Sequence, residues 1–196
     1  RFIIPPFSVL DTRQGIWKDR KNYWLSFGIK SEEGRKKNSL GLANIKNYEY
    51  EYKKNFDISD GTSIFDPVLC ELVYRWFNIP NGSILDPFAG GSVRGIVAAK
   101  LGYTYFGNDL RSEQIEANKK NASEILKDED IYPIWTCGDS LHIDEIVKDY
   151  KADLIFSCPP YANLEVYSDL KEDISNMSYK DFIQVYNEII RKSCEI

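Results

Sequence analysis

The chain of 196 residues is long enough for one well-packed domain and an additional arm, but not for two full domains. With 43% apolar and 28% charged residues, its composition is typical of a globular protein and excludes a disordered or collagen-like chain. No apolar run reaches the roughly 18 residues of a membrane span, and we find no signal peptide, so we expect a cytoplasmic protein. Its four cysteines are scattered and accompanied by a single histidine, which predicts reduced thiols and no metal site.

The charge is distributed unevenly along the chain. Residues 1–60 contain 12 Lys and Arg against 8 Asp and Glu, whereas residues 61–196 contain 13 against 22. We therefore expect a basic N-terminal arm or subdomain, 1–60, and an acidic body, 61–196. A main nucleic-acid contact would lie in the basic part or outside this chain, although ordinary solvated surface explains the difference equally well.

Short apolar strands alternate with amphipathic helices after residue 61. A helix begins at Asp66-Pro67, which suit the cap and the first helical position. The remaining predicted elements are, in chain order, a strand at 83–86, a helix at 92–100, a strand at 103–107, a helix at 112–127, a strand at 131–136, a helix at 142–149, a strand at 153–156 and a helix from 178 onwards. This alternation predicts the α/β class, with a parallel sheet flanked by helices.

The unusual residues of the sequence lie where the predicted strands end. Asp86, Asp109 and Asp139 each follow a strand, and so does the segment 158–161. Ligands of parallel sheets bind at the carboxyl ends of the strands, so we expect the functional site there.

The first of these turns, DPFAGGS at 86–92, is glycine-rich and opens a helix. Glycine lets the backbone approach a ligand, and the helix start favours an anion, while Asp86 would accept from an ammonium group. Asp109 has nearly the spacing of a ribose-binding acid, and Asp139 could accept from an adenine amino group. Amino acid, ribose and adenine together describe S-adenosylmethionine. A tight connection is the alternative, and the absence of GxGxxG disfavours a dinucleotide.

The second turn reads Ser157-Cys158-Pro159-Pro160-Tyr161. The prolines stiffen the backbone and leave carbonyl acceptors around Pro159, while Tyr161 offers a flat face for stacking. Such a turn can hold a planar amine, draw its nitrogen towards a tetrahedral geometry and align it with a methyl donor. The alternative is a strand-ending Pro-Pro with a packing tyrosine.

DPFAGGS, NDL and IFSCPPY, in this order, resemble the amino-methyltransferases of DNA that make N6-methyladenine or N4-methylcytosine. The whole chain, including PPFSVLDTRQGIW, resembles methylases of this type encoded by phages and mobile elements. The resemblance implies a Rossmann-like S-adenosylmethionine-dependent methyltransferase fold, with 61–196 as the N-terminal part of the catalytic domain. It also implies site-specific methylation of a base flipped from DNA, adenine N6 favoured over cytosine N4, in a bacterial or phage-infected cell.

The motifs also imply site residues. The catalytic residues would be Cys158, Pro159, Pro160 and Tyr161. The cofactor contacts would be Phe65, Asp86, Pro87, Phe88, Ala89, Gly90, Gly91, Ser92, Asp109, Leu110, Asp139 and Ser140.

Two positions depart from the family pattern. Ser92 replaces a motif glycine, and Cys158 stands where the family has Asp, Asn or Ser, all better acceptors than a thiol. Either Ser157 or the Pro159 carbonyl compensates, or the chain is a poor catalyst. Because the residue at this position usually indicates the target base, Cys158 leaves adenine and cytosine both open.

The sequence contains about four of the seven strands expected for the family. We expect a second chain, or a segment after residue 196, to complete the sheet and to read the target sequence in DNA. The alternatives are an RNA base or a glutamine amide as substrate, a C5-pyrimidine mechanism through Cys158, and a module that keeps the fold without turnover. Trp17, Trp24 and nearby basic residues would either contact nucleic acid or pack the arm, and 162–177 would be a lid or a surface loop.

Overall fold

The structure, a computed structural model, describes residues 12–30, 65–162 and 167–196. Its helices are α1 (Gly15–Leu25), α2 (Pro67–Phe77), α3 (Val93–Lys100), α4 (Ser112–Ile125), α5 (Ile143–Ile146) and α6 (Tyr179–Cys194), with 3₁₀ turns at Ser140–His142 and Ile174–Asn176. Its strands are β1 (Ser83–Asp86), β2 (Thr104–Asp109), β3 (Ile134–Cys137) and β4 (Leu154–Ile155).

The four strands form one parallel sheet in the order β3-β2-β1-β4. In the register of the central pairs, Leu85 lies opposite both Phe106 and Ile155. Since every strand runs in the same direction, all carboxyl ends meet at one edge. The predicted α/β architecture with a parallel sheet and flanking helices is confirmed.

Successive side chains of the central strands enter two different cores, as the two-residue period of a strand requires. Ile84 and Tyr105 pack into a large cluster with α1, α2, α3 and α4. Leu85 and Phe106 face the other way, into a smaller cluster with α5 and the end of the chain. The sheet is therefore covered on both faces.

Several element boundaries differ from the expected ones. Strand β3 begins after Pro133 rather than at Ile131, since a proline has no N–H to donate to a ladder. The helix expected at 142–149 is a 3₁₀ turn followed by the single turn of α5. Arg111 is the N-cap of α4, and its side chain makes no capping bond. Asp66 caps α2 as expected, since its side chain accepts from the Val68 N–H.

Helix α1 lies in the segment expected to be an arm, and it packs against α2. Trp17 and Trp24 are buried, and their indole N–H groups donate to Asp66 and Glu71. Of the two alternatives for these tryptophans, the structure therefore shows packing of the N-terminal segment onto the body. Residues 1–11 and 31–60 lie outside the described ranges. None of the helices in the described ranges is long and apolar enough to cross a membrane.

Candidate active site

A cavity of about 170 Å³ lies at the carboxyl edge of the sheet. Its wall includes the glycine turn after β1, the ends of β2 and β3, and the turn after β4. The two motifs that the sequence singled out thus contribute to a single cavity. No metal-binding group of His, Cys, Asp and Glu occurs in the described ranges.

Most residues predicted to form the site do line this cavity. On the cofactor side they are Phe65, Pro87, Phe88, Gly90, Gly91, Asp109, Leu110, Asp139 and Ser140. On the side of the base they are Cys158, Pro160 and Tyr161. Four predicted residues, Asp86, Ala89, Ser92 and Pro159, are not part of the lining.

Side chains of β2 and α4 hold the backbone of the glycine turn. Gly90 adopts φ 50°, in the left-handed region that favours glycine. Its N–H donates to Asp109 Oδ2 at 2.9 Å, and its carbonyl accepts from Asn118 Nδ2 at 2.7 Å. A Cβ at Gly107 of β2 would come within 2.9 Å of the Ala89 Cβ, so glycine there lets β2 approach the turn.

Ala89 and Ser92 lie behind the turn, where they pack rather than face the cavity. Ala89 is fully buried, and its N–H donates to the Asn108 carbonyl at 2.9 Å. Ser92 Oγ donates to Asn121 Oδ1, which also accepts from the Lys30 N–H. Ser92 therefore connects the turn to α4 and to the N-terminal segment.

Asp109 is the acidic group at the end of β2. Its Oδ1 accepts from the Arg111 N–H at 2.9 Å, in addition to the bond from Gly90. Burial raises the pKa of its carboxyl group, and the Arg111 charge together with the two N–H bonds opposes that rise only in part. A carboxylate at the cavity wall with unused lone pairs is suited to neutral hydroxyl donors.

The end of β3 contributes Asp139 and Ser140. Asp139 Oδ1 accepts from the Leu141 N–H at 2.9 Å and so caps the 3₁₀ turn. Ser140 Oγ donates to the Pro87 carbonyl and accepts from Asn108 Nδ2. These bonds join the ends of three neighbouring strands, which keeps the floor of the cavity rigid.

Asp86 was expected to project into the crevice, and this expectation is wrong. Its side chain is fully buried and forms an ion pair with Arg94 of α3 at 2.5 Å. Burial lowers the pKa of the Arg94 guanidinium, but the Asp86 charge outweighs this and holds the pKa above its ordinary value. The sequence signal for this pair was a charged residue within the buried, apolar run of α3.

The turn after β4 presents Tyr161 to the cavity. The Tyr161 side chain is 58% exposed, and its Oη lies 3.6 Å from Cys158 Sγ. Pro160 lines the cavity beside them, whereas Pro159 does not. An exposed aromatic ring in a cavity wall is suited to stacking on a planar ligand.

The loop before α6 closes one side of the cavity. Asp173 is buried and accepts from Ser168 Oγ and from the N–H and Oγ of Ser175, which fixes the loop internally. The loop was expected as a possible lid; residues 163–166 lie outside the described ranges. Four lining residues come from the segment 162–177 predicted as a lid or a surface loop: Tyr167, Glu172, Asp173 and Ile174. Four others were not predicted at the site: Arg94, Arg111, Gly138 and Ile189.

No protein-family model and no curated protein matches the chain. Among solved structures, TrmN from Thermus thermophilus matches with a TM-score of 0.50 and 18% identity over 66% of this chain and 34% of that chain. A TehB-like SAM-dependent methyltransferase from Corynebacterium glutamicum matches with a TM-score of 0.40 and 19% identity, over 66% and 74% of the two chains. The chain therefore spans about a third of the TrmN chain. The likeness to TrmN shows the fold alone, and it agrees with the predicted Rossmann-like sheet flanked by helices.

Proposed function

We propose that the protein transfers a methyl group from S-adenosylmethionine to the exocyclic amino group of a base flipped out of DNA, with adenine N6 favoured over cytosine N4. One observation carries the proposal. The glycine turn with its neighbouring aspartates and the Cys158–Tyr161 turn line the same cavity, so a donor and a planar acceptor can meet there.

The residues on one side fit the donor. Gly90 and Gly91 leave room for a close approach, and the carboxylates of Asp109 and Asp139 line the same wall. Ribose hydroxyls and an adenine amino group are the donors that such carboxylates bind. These two aspartates would hold the nucleoside part of S-adenosylmethionine.

The residues on the other side fit a flipped base. The exposed Tyr161 ring would stack on it, and the rigid prolines would keep the turn at a fixed distance from the donor. S-adenosylmethionine supplies an electrophilic methyl carbon: the amino nitrogen bonds to it, the carbon–sulfur bond breaks with its electron pair left on sulfur, and the nitrogen releases one proton. Acceptors near Cys158 would bind the amino hydrogens and orient the lone pair.

A non-catalytic module is the second candidate, and the contact between Cys158 and Tyr161 favours it. A thiol is a weak acceptor, and the Cys158 Sγ lies 3.6 Å from the Tyr161 hydroxyl. Such a protein would bind the donor within a DNA-modifying assembly without turnover. If the protein is an enzyme, an RNA base is the alternative methyl acceptor.

The partners of the site are also part of the proposal. On the outer edge of β4, no further strand is paired within the described ranges. We propose that a C-terminal continuation or a second chain covers this edge and reads the DNA target, since unpaired edges of parallel sheets are normally covered.

Methyl transfer from labelled S-adenosylmethionine tests the proposal. The protein is incubated with unmethylated DNA, RNA or peptide, and the modified DNA is digested to nucleosides and identified by mass spectrometry. We expect N6-methyladenine in the DNA reaction. Label in RNA alone would show that the substrate is RNA rather than DNA. Donor binding without transfer to any of the three would favour the module.

A further inference from the structure

Within the described residues, four protein donors bond to the Asp86 carboxylate. Its Oδ2 accepts from Arg94 Nε at 2.5 Å and from Tyr105 Oη at 2.6 Å. Its Oδ1 accepts from Ser157 Oγ at 2.5 Å and from the Phe88 N–H at 3.2 Å. A carboxylate has about four acceptor positions, so this one has none left for a ligand.

The contacts come from both halves of the site. Phe88 belongs to the glycine turn, whereas Ser157 is the first residue of the turn after β4. Ser157 Oγ also accepts from the Phe88 N–H at 3.1 Å, so the two turns are joined by a small closed network. The strands β1 and β4 are neighbours, but their paired residues stop at Leu85 and Ile155, and this network continues the connection beyond them.

Arg94 stabilises the same arrangement from behind. It neutralises Asp86, and its Nη2 donates to the carbonyls of Phe88 and Ala89 at 2.6 and 2.8 Å. One buried ion pair therefore holds the backbone of the glycine turn on one side and the Ser157 hydroxyl on the other. Buried charges of this kind are retained where both partners and the remaining lone pairs are bonded.

We propose that Asp86 is a positioning residue that anchors the 157–161 turn to the glycine turn through Ser157, and that it is not the contact for an incoming ammonium group. This inference rests on the proposed methyl transfer, because it concerns how the donor and the base are held relative to each other. A displacement of about 1 Å between reacting groups can lower a rate on the order of a hundredfold. The Ser157–Asp86 bond restrains that displacement.

Ser157→Ala tests the anchor, and Ser83→Ala is its matched control. Ser83 Oγ donates to Asp153 Oδ2 at 2.8 Å, which is the same serine–aspartate pairing between β1 and the β4 segment at the opposite end of these strands. We expect Ser157→Ala to lower the single-turnover rate of methyl transfer by about tenfold to a hundredfold. Its affinity for S-adenosylhomocysteine, measured by calorimetry, should stay within about twofold, since the Phe88 N–H keeps Asp86 as its acceptor.

Hydrogen–deuterium exchange gives a second readout that needs no activity. We expect faster exchange at the amides of Cys158, Tyr161 and Ala162 in Ser157→Ala, and no change there in Ser83→Ala. Equal rates and equal exchange in both variants would overturn the anchor, as would a selective loss of S-adenosylhomocysteine affinity in Ser157→Ala. If the wild-type protein transfers no methyl group, the proposed function fails, while the exchange measurement still decides whether Ser157 anchors the turn.

Discussion

Arg20 of α1 and Glu71 of α2 form a bidentate ion pair, with Nε to Oε2 at 2.6 Å and Nη2 to Oε1 at 2.7 Å. The Glu71 side chain is 1% exposed and also accepts from Trp24 Nε1 and Arg75 Nε. Because a buried carboxylate needs partners, this residue makes α1 a part of the body rather than a loose arm. The same helix α2 packs against α3, which begins at the glycine turn.

We predict that Glu71→Gln destabilises the protein by about 2–4 kcal/mol at neutral pH, because it weakens several charged hydrogen bonds in a buried position. Urea unfolding measures the change. The control is Glu124→Gln, which removes the exposed pair with Lys30 and should change the free energy of unfolding by no more than about 0.5 kcal/mol.

The pH dependence of this stability provides a separate prediction. Burial raises the pKa of Glu71, but hydrogen bonds from Arg20, Trp24 and Arg75 outweigh it and hold the pKa below its ordinary value. The stabilisation that ionised Glu71 provides is therefore fully present above its unfolded-state pKa of about 4.3. It is lost as the pH falls through the folded-state pKa. We expect the free energy of unfolding of the wild type, measured across this pH range, to approach that of Glu71→Gln at acid pH. A difference that stays constant down to pH of about 3 would contradict this assignment.

The sheet and the location of the candidate site were predictable from the sequence, because alternating apolar and turn segments report on local structure. The ends of β1, β2 and β3 carry Asp86, Asp109 and Asp139, and parallel pairing alone brings these ends to one edge. Helix α1 was not predicted. Its cap residue Gln14 makes no side-chain cap bond, and the helix owes its stability to partners some 50 residues away in α2, such as Glu71.

The direction in which Asp86 points was not predictable either. Its position at a strand end is visible in the sequence, but its partners are Arg94, eight residues later, and Ser157, in a different strand segment. Only the packing of α3 against the sheet brings the guanidinium beneath the turn. A motif can therefore show that a polar residue lies at the end of a strand. Whether its side chain contacts a ligand or another part of the protein depends on its tertiary partners.

We predict that Tyr161→Ala lowers methyl transfer by about tenfold to a hundredfold, because base stacking on an aromatic ring is lost. Affinity for S-adenosylhomocysteine should remain within about twofold, since the Asp109 side of the cavity is unchanged. The matched control is Tyr179→Ala, which removes a tyrosine that is 71% exposed and lies outside the cavity lining. Loss of transfer and of donor affinity together would show that the two sides are not separable.

Asp109→Ala should weaken the binding of S-adenosylhomocysteine by about tenfold to a hundredfold, because a charged acceptor for ribose hydroxyls is removed. Comparison with the 2′,3′-dideoxyribose analogue isolates this contact. The wild type should bind the analogue less tightly than the parent compound, whereas the variant should bind both with nearly equal affinity. Calorimetry measures all four affinities, and Asp144→Ala, which removes a surface partner of Lys192, is the control. If the variant still distinguishes the two compounds, the ribose is held elsewhere.

Cys158→Asn tests whether a better acceptor improves the reaction. A thiol accepts hydrogen bonds weakly, while an amide carbonyl in the same place can bind the amino hydrogens of the base. We expect the transfer rate to rise by about tenfold, as one additional hydrogen bond to the reacting amine allows. Single-turnover measurements with DNA give this rate, and Cys194→Asn, at an exposed cysteine at the end of α6, should leave it unchanged. A rate that falls would show that the thiol contact with Tyr161 Oη, rather than acceptor strength, is what this position requires.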